Sequence, residues 1–152
     1  MAGWRAAHAG ALPFSSSCVV VEQLEPGIVL MRRTREPLPD GVLELQHFYE
    51  ELHQLFGRLP TDELDLIVDS RLAPGRNDET FERVQTEYRE RIFCRFRRTV
   101  IVMGTVAGRL QVARYAREQP GYTFHTYPDV PSAVEALRRP PSTRRSLAPV
   151  AG

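Results

Sequence analysis

The chain contains no lysine: all 20 of its basic residues are arginine, set against 19 acids. That absence removes the chemistries that depend on an amine. A Walker-type phosphate loop needs a lysine at the terminal phosphates, and pyridoxal or Schiff-base catalysis needs a nucleophilic amine. Complete replacement of Lys by Arg fits a coding bias of the genome better than selection for bidentate anion binding, although Arg has that capacity. Cysteine is scarce as well. Cys18 falls in a predicted strand and Cys94 in a predicted helix, which makes neither a disulfide framework nor a metal-ligand cluster, and a reducing cytoplasm is expected. Charge of one sign is missing too: a formal net charge of +1 argues against a broad nucleic-acid surface, which shows as a clearly basic domain. No apolar run approaches the ~20 residues of a membrane span, and the first residues, MAGWRAAHAGALPFSSS, contain no continuous apolar h-region of a secretory signal.

What is present suffices for one domain with a real core, since 152 residues match the usual size of a single unit. Residues 1–16 are small and polar around an isolated Trp4 and Phe14 and are expected to form a flexible leader. Cys18 to Gln23 and Ile28 to Arg33 are apolar runs separated by Glu25-Pro26-Gly27, a hairpin signal. Asp40 is placed to cap a helix whose apolar positions run from Val42 to Phe56 with one-sided helical spacing, ended by Gly57 and Pro60. Leu64 to Asp69 reads as a centrally buried strand. Asn77 or Asp78 caps the next helix, in which Phe81, Val84, Tyr88, Ile92 and Phe96 form the inner stripe. Its other face, with Glu82, Arg83, Glu87, Arg89, Glu90 and Arg91, is expected to be solvated. A buried strand from Thr99 to Met103, a helix capped by Thr105, a short strand from Gly121 to Thr126 and a final helix begun by Pro131 complete the domain, 17–139. Residues 140–152 are expected to be a disordered tail.

The predicted class is α/β: a single mixed β-sheet with an N-terminal hairpin followed by β-α-β-α-β-α units. The loops SRLAPGRND and TVAG should emerge on one sheet edge, where open α/β sheets place ligands and partners. Four stretches, VVVEQLEPGIVLMR, VDSRLAPGRND, VIVMGTVAGRLQVARYARE and TFHTYPDVPSAVEALRR, follow in an order that resembles the STAS/SpoIIAA-like superfamily, including its branch related to CRAL-TRIO lipid-transfer domains. The resemblance covers about residues 17–139 and implies a bacterial regulatory or signalling role. It also implies a phosphorylatable Ser at the start of the helix after the central strand. The matching positions, Gly75-Arg76-Asn77-Asp78, contain no hydroxyl, and Thr80 and Ser70 are the nearest. Asp78 stands there as a fixed negative charge or, more simply, a helix cap.

The second constellation joins Thr105, Val106, Ala107 and Gly108 at a helix start to Arg71, Arg76 and Arg109. Helix amides and forked guanidinium groups together suit an anion; the plainer alternative is that Thr105 caps the helix, Gly108 permits close packing and the arginines pair with Asp69, Asp78 or Glu79. Asp69 and Thr105 sit where receiver domains keep their phosphoacceptor and switch hydroxyl, but the lysine those domains require is absent. His47 and His53 lie six residues apart and point to different sides of their helix, which is the wrong spacing for zinc. His125 stands between aromatics in the last strand, and Asp62, Glu63 and Asp65 mark a strand entrance. No metal site and no cofactor is expected. Arg95, Arg97 and Arg98 beside Phe93 and Phe96 admit an anionic partner, or simply favour the negative end of a helix.

The expected function is a non-enzymatic regulatory or scaffolding domain that binds a protein partner through the 70–80 loop and helix and the 105–109 turn, with Asp69, Ser70, Arg71, Arg76, Asn77, Asp78, Thr80, Thr105, Gly108 and Arg109 as the surface. The alternative is a carrier or sensor of a small anionic, lipid, acyl or nucleotide ligand, with apolar depth from Phe81, Tyr88, Met103 and Tyr115.

Overall fold

Four consecutive apolar residues, Ile28, Val29, Leu30 and Met31, need cover on both faces if they form a strand. In the computed structural model, which describes residues 10–76, 78–118 and 124–141, they belong to the third strand of a six-stranded sheet. The strands lie side by side in chain order: β1 (Gly10–Ser15), β2 (Val19–Glu25), β3 (Ile28–Arg33), β4 (Asp65–Asp69), β5 (Arg98–Val102) and β6 (His125–Tyr127). β1, β2 and β3 pair antiparallel, while β3 to β6 run parallel. The chain is therefore α/β with one mixed sheet and an N-terminal hairpin. Gly27, at φ +86°, makes the β2–β3 turn possible, because a residue with a side chain is strained there.

Parallel strands laid down in order with right-handed crossovers carry their connecting helices on one face. The connections are α1 (Val42–Gly57), α2 (Glu79–Ile92) and α3 (Val106–Glu118). The alternating side chains of the sheet divide accordingly. Val29, Met31, Leu66 and Val68 join Leu52 of α1 and Val84 of α2 in the larger core. Ile28, Leu30, Ile67 and Val100 point the other way, against Val134 and Leu137 of α4 (Val130–Leu137), which follows β6. Full burial of each such aliphatic side chain contributes about 1.5–3 kcal/mol.

Polar pairs lock the sheet ends. Asp65 opens β4 at 1 % exposure and accepts from both Arg97 (3.1 and 2.8 Å) and Arg98 (3.0 and 2.7 Å). Arg98 also donates to the Leu137 carbonyl at 2.8 Å, so one guanidinium joins the β4 entrance to the end of α4. The basic run near Phe96 is thus largely spent on a buried carboxylate.

Three expectations change. Residues 10–15 of the supposed leader form β1, paired with β2 at the edge of the sheet; Gly10 and Pro13 weaken its strand signal, and an edge strand tolerates proline. Asp40 does not cap α1: Gly41 is the N-cap and no side chain bonds there. The last strand is His125–Tyr127, shorter than the expected Gly121 to Thr126, of which residues 121–123 lie outside the described residues. Residues 1–9 of the leader and 142–152 of the tail lie outside them too. Asp78 does cap α2, accepting from the Phe81 amide at 2.9 Å, and Thr105 caps α3, accepting from the Gly108 amide at 3.0 Å.

Candidate functional site

Phe81, Gln85 and Arg89 are spaced four apart and share one line along α2. That line faces inward but mixes a ring, an amide and a guanidinium, so it does not close on the sheet as an aliphatic stripe would. A cavity of about 400 Å³ remains between the sheet, the inward sides of α1, α2 and α3, and the loop after β4. Its volume falls in the range of small-molecule sites, roughly 300–1,000 Å³. Met31, Val68 and Ile101 form its floor, Phe48 and Phe93 add rings, and Met103 and Val112 close the side toward α3.

Three arginines line it: Arg33, at the end of β3, Arg76, in the loop after β4, and Arg89, on α2. Arg33 ends an apolar strand on the core side. Its Nε is shielded from solvent and has no hydrogen-bond partner among the described residues. Burial lowers its pKa, while the electrostatic influence of Tyr49 and Cys18 opposes that shift and nearby Arg76 adds to it. A buried donor left unsatisfied costs about 1–3 kcal/mol, and more when charged.

Arg76 is placed differently. It donates to Asp78 at 2.6 Å and to the Pro39 carbonyl at 2.8 Å, and its guanidinium lies 5.1 Å from the Phe81 ring centre. The Arg76 hydrogen bond, followed by the Phe81 amide, holds the Asp78 carboxyl below its ordinary range. Arg89 is only 4 % exposed, which corrects its placement on a solvated face: its spacing from Phe81 and Gln85 turns it inward. Tyr49 donates its hydroxyl proton to Gln85 Oε1 and stacks on Tyr88 at 5.4 Å. Burial pushes its pKa up, and the fields of Arg33, Arg76 and Arg89 pull it partly back, so all three cations act on one hydroxyl at the cavity wall.

The sequence-predicted surface divides in two. Ser70, Arg76 and Asp78 line the cavity. Asp69 is 3 % exposed and is closed by Arg71, which donates to it at 3.0 and 2.9 Å; the Arg71 stem lies against Gly104, beside the Thr105 turn. That hydrogen bond also raises the Arg71 pKa. Arg109 reaches back to the Met103 carbonyl at 3.4 Å, and Thr80 and Gly108 stand outside the cavity lining. Asn77 and the Tyr115 side chain lie outside the described residues. Sequence reasoning missed Arg33, Tyr49, Gln85 and Arg89; the available signal was the four-residue spacing on α2 and an arginine closing a strand buried on both faces.

His47 pairs with Glu51 at 2.9 Å and His53 with Glu50 at 3.5 Å, and among the described residues no group of three or more His, Cys, Asp or Glu is arranged to hold a metal. No described helix is long and apolar enough to cross a membrane. No protein-family model, curated protein or solved structure matches the chain.

Proposed function

We propose that the chain is a non-enzymatic binding domain that holds a small organic ligand in the cavity beneath α1, α2 and α3, as a carrier or a sensor. The observation that carries this reading is Arg33, which lines a cavity of about 400 Å³ and whose shielded Nε has no hydrogen-bond partner among the described residues. A concave site of this size lined by a cationic side chain without a partner is the usual form of a small-ligand site. The SpoIIAA/STAS-like kinship belongs to the same proposal and is supported by the order of hairpin, parallel strands and crossover helices. The test is titration with Nile red, an uncharged dye. One saturable site per chain is expected, and Ile101→Phe, which fills the cavity floor, should abolish it. Absence of saturable binding, or binding indifferent to that filling, overturns the reading.

A second reading keeps the protein partner, and one observation favours it. Leu72, Val106 and Leu110 are 47, 63 and 64 % exposed, on the loop after β4 and the start of α3, the two elements expected to meet a partner. A photo-crosslinking residue at Leu72 or Leu110 should capture one discrete polypeptide in cells, whereas the same residue at Leu24, on β2, should not. Equal labelling at all three positions removes this reading.

A further inference from the structure

The arginines of the cavity are not equivalent, and their difference defines a ligand class. Arg76 is balanced by Asp78 and spends its remaining donors on the carbonyls of Leu38, Pro39 and Asp40. Asp78 is likewise engaged by Arg76 and by the Phe81 amide. The other acid on the lining, Asp40, is exposed. The Arg33 side chain has neither an ion pair nor a hydrogen bond among the described residues, and its Nε is closed to water. A half-buried guanidinium with no partner is relieved by one negative charge.

We infer that the cavity binds a small amphipathic monoanion, a carboxylate whose head pairs with the Arg33 guanidinium and whose apolar body lies between Phe48, Phe81 and Phe93 of the helical side and Val68 and Ile101 of the sheet. This rests on the small-ligand reading above and narrows it. The lining sets Arg33, Arg76 and Arg89 against Asp40 and Asp78, an excess of one positive charge that matches a single negative one, so a doubly charged phosphate ester would bring more negative charge than the wall balances. The flat fork of a carboxylate suits a guanidinium edge. Around the head, the remaining lining is apolar or aromatic for the most part, which gives an acyl or aryl body a place to leave water.

The experiment compares matched ligands by displacement of Nile red from the unmodified chain. Decanoate is set against decanol, and phenylpropionate against phenylpropanol, with decyl phosphate as the dianion. Each carboxylate should bind about tenfold or more tighter than its alcohol, the scale of one charge-assisted hydrogen bond in a shielded site. Decyl phosphate should bind more weakly than decanoate. In Arg33→Met the carboxylate-to-alcohol ratio should fall to about one. The stronger of the two carboxylates identifies an acyl or an aryl body, and either outcome supports the inference. Dye binding with no preference for carboxylate, with phosphate preferred, or with a preference that survives Arg33→Met overturns the inference and leaves the cavity reading standing. No dye binding at all defeats the cavity reading itself. Where Arg33→Met does not fold, the ligand series on the unmodified chain decides alone.

Discussion

Arg76 donates to the Pro39 carbonyl at 2.8 Å, fastening the loop after β4 to the segment that leads into α1. Both segments line the cavity, so this bond fixes one of its walls. Arg76→Met keeps a stem that covers Phe81 but removes the strap. The expected loss of stability is about 1.5–2 kcal/mol, the lower part of the range for a hydrogen bond to a charged group. Amide exchange should accelerate around residues 38–41 and 73–79 while β3 and β4 stay protected. Urea unfolding with exchange measurement checks both; uniform acceleration across the sheet contradicts a local strap.

The entrance of β4 makes the stronger demand. Asp65 is 1 % exposed and holds two arginines, one of which also ties down the end of α4. Asp65→Asn removes the charge and leaves Arg97 and Arg98 to share an amide. Breaking a buried pair from one side costs about 3–5 kcal/mol, and the urea midpoint should fall accordingly with little change in slope. A loss below about 1 kcal/mol shows instead that the arginines find water, as surface pairs do.

Acid should weaken the fold through two helix caps. Asp78 is held low first by its Arg76 hydrogen bond, and Asp129 first by the backbone amide of Ser132. Their folded values lie below the ordinary 3.8, so the stability they contribute is fully present above that pH. It is lost as pH falls through the depressed values, when both become protonated. Asn caps a helix nearly as well as Asp without titrating. The pair Asp78→Asn and Asp129→Asn should therefore flatten the acid limb of the thermal midpoint, and an acid limb parallel to the unmodified chain shows that other carboxylates set it.

The features legible in the sequence were those in which a residue acts on near neighbours. Pro26-Gly27 announced its hairpin, Asp78 and Thr105 their caps, and Ile28 to Met31 a strand covered on both sides. β1 was not legible, because GALPFS holds a glycine and a proline and no β-branched residue, although its partner β2 is the next strand along the chain. Nor was the cavity: an unfilled space is a sum over side chains from strands, helices and a loop together, and no one of them signals it. Arg33 looked like the charged end of a strand and Arg89 like part of a solvated face. Only the packing of α1 and α2 on the sheet makes them neighbours of Tyr49, and with that shift the centre of the candidate site moves from the outer loops to the cavity behind them.

Gly108 offers a probe of that cavity from outside it. A Cβ placed there would lie 2.5 Å from Met103 Cε and 3.0 Å from Thr105 Oγ1. The Met103 terminus is flexible, and Met103 lines the cavity, so the open space into which it can turn is the cavity itself. Alanine also raises helix propensity by about 1 kcal/mol over glycine, which offsets the disturbance of the Thr105 cap. Gly108→Ala should leave the urea midpoint within about 1 kcal/mol of the unmodified chain while weakening Nile red binding severalfold. A Gly108→Ala chain that keeps full dye affinity places the dye away from Met103, and one that loses stability sharply shows that the α3 cap, rather than the methionine, is the part that gives way.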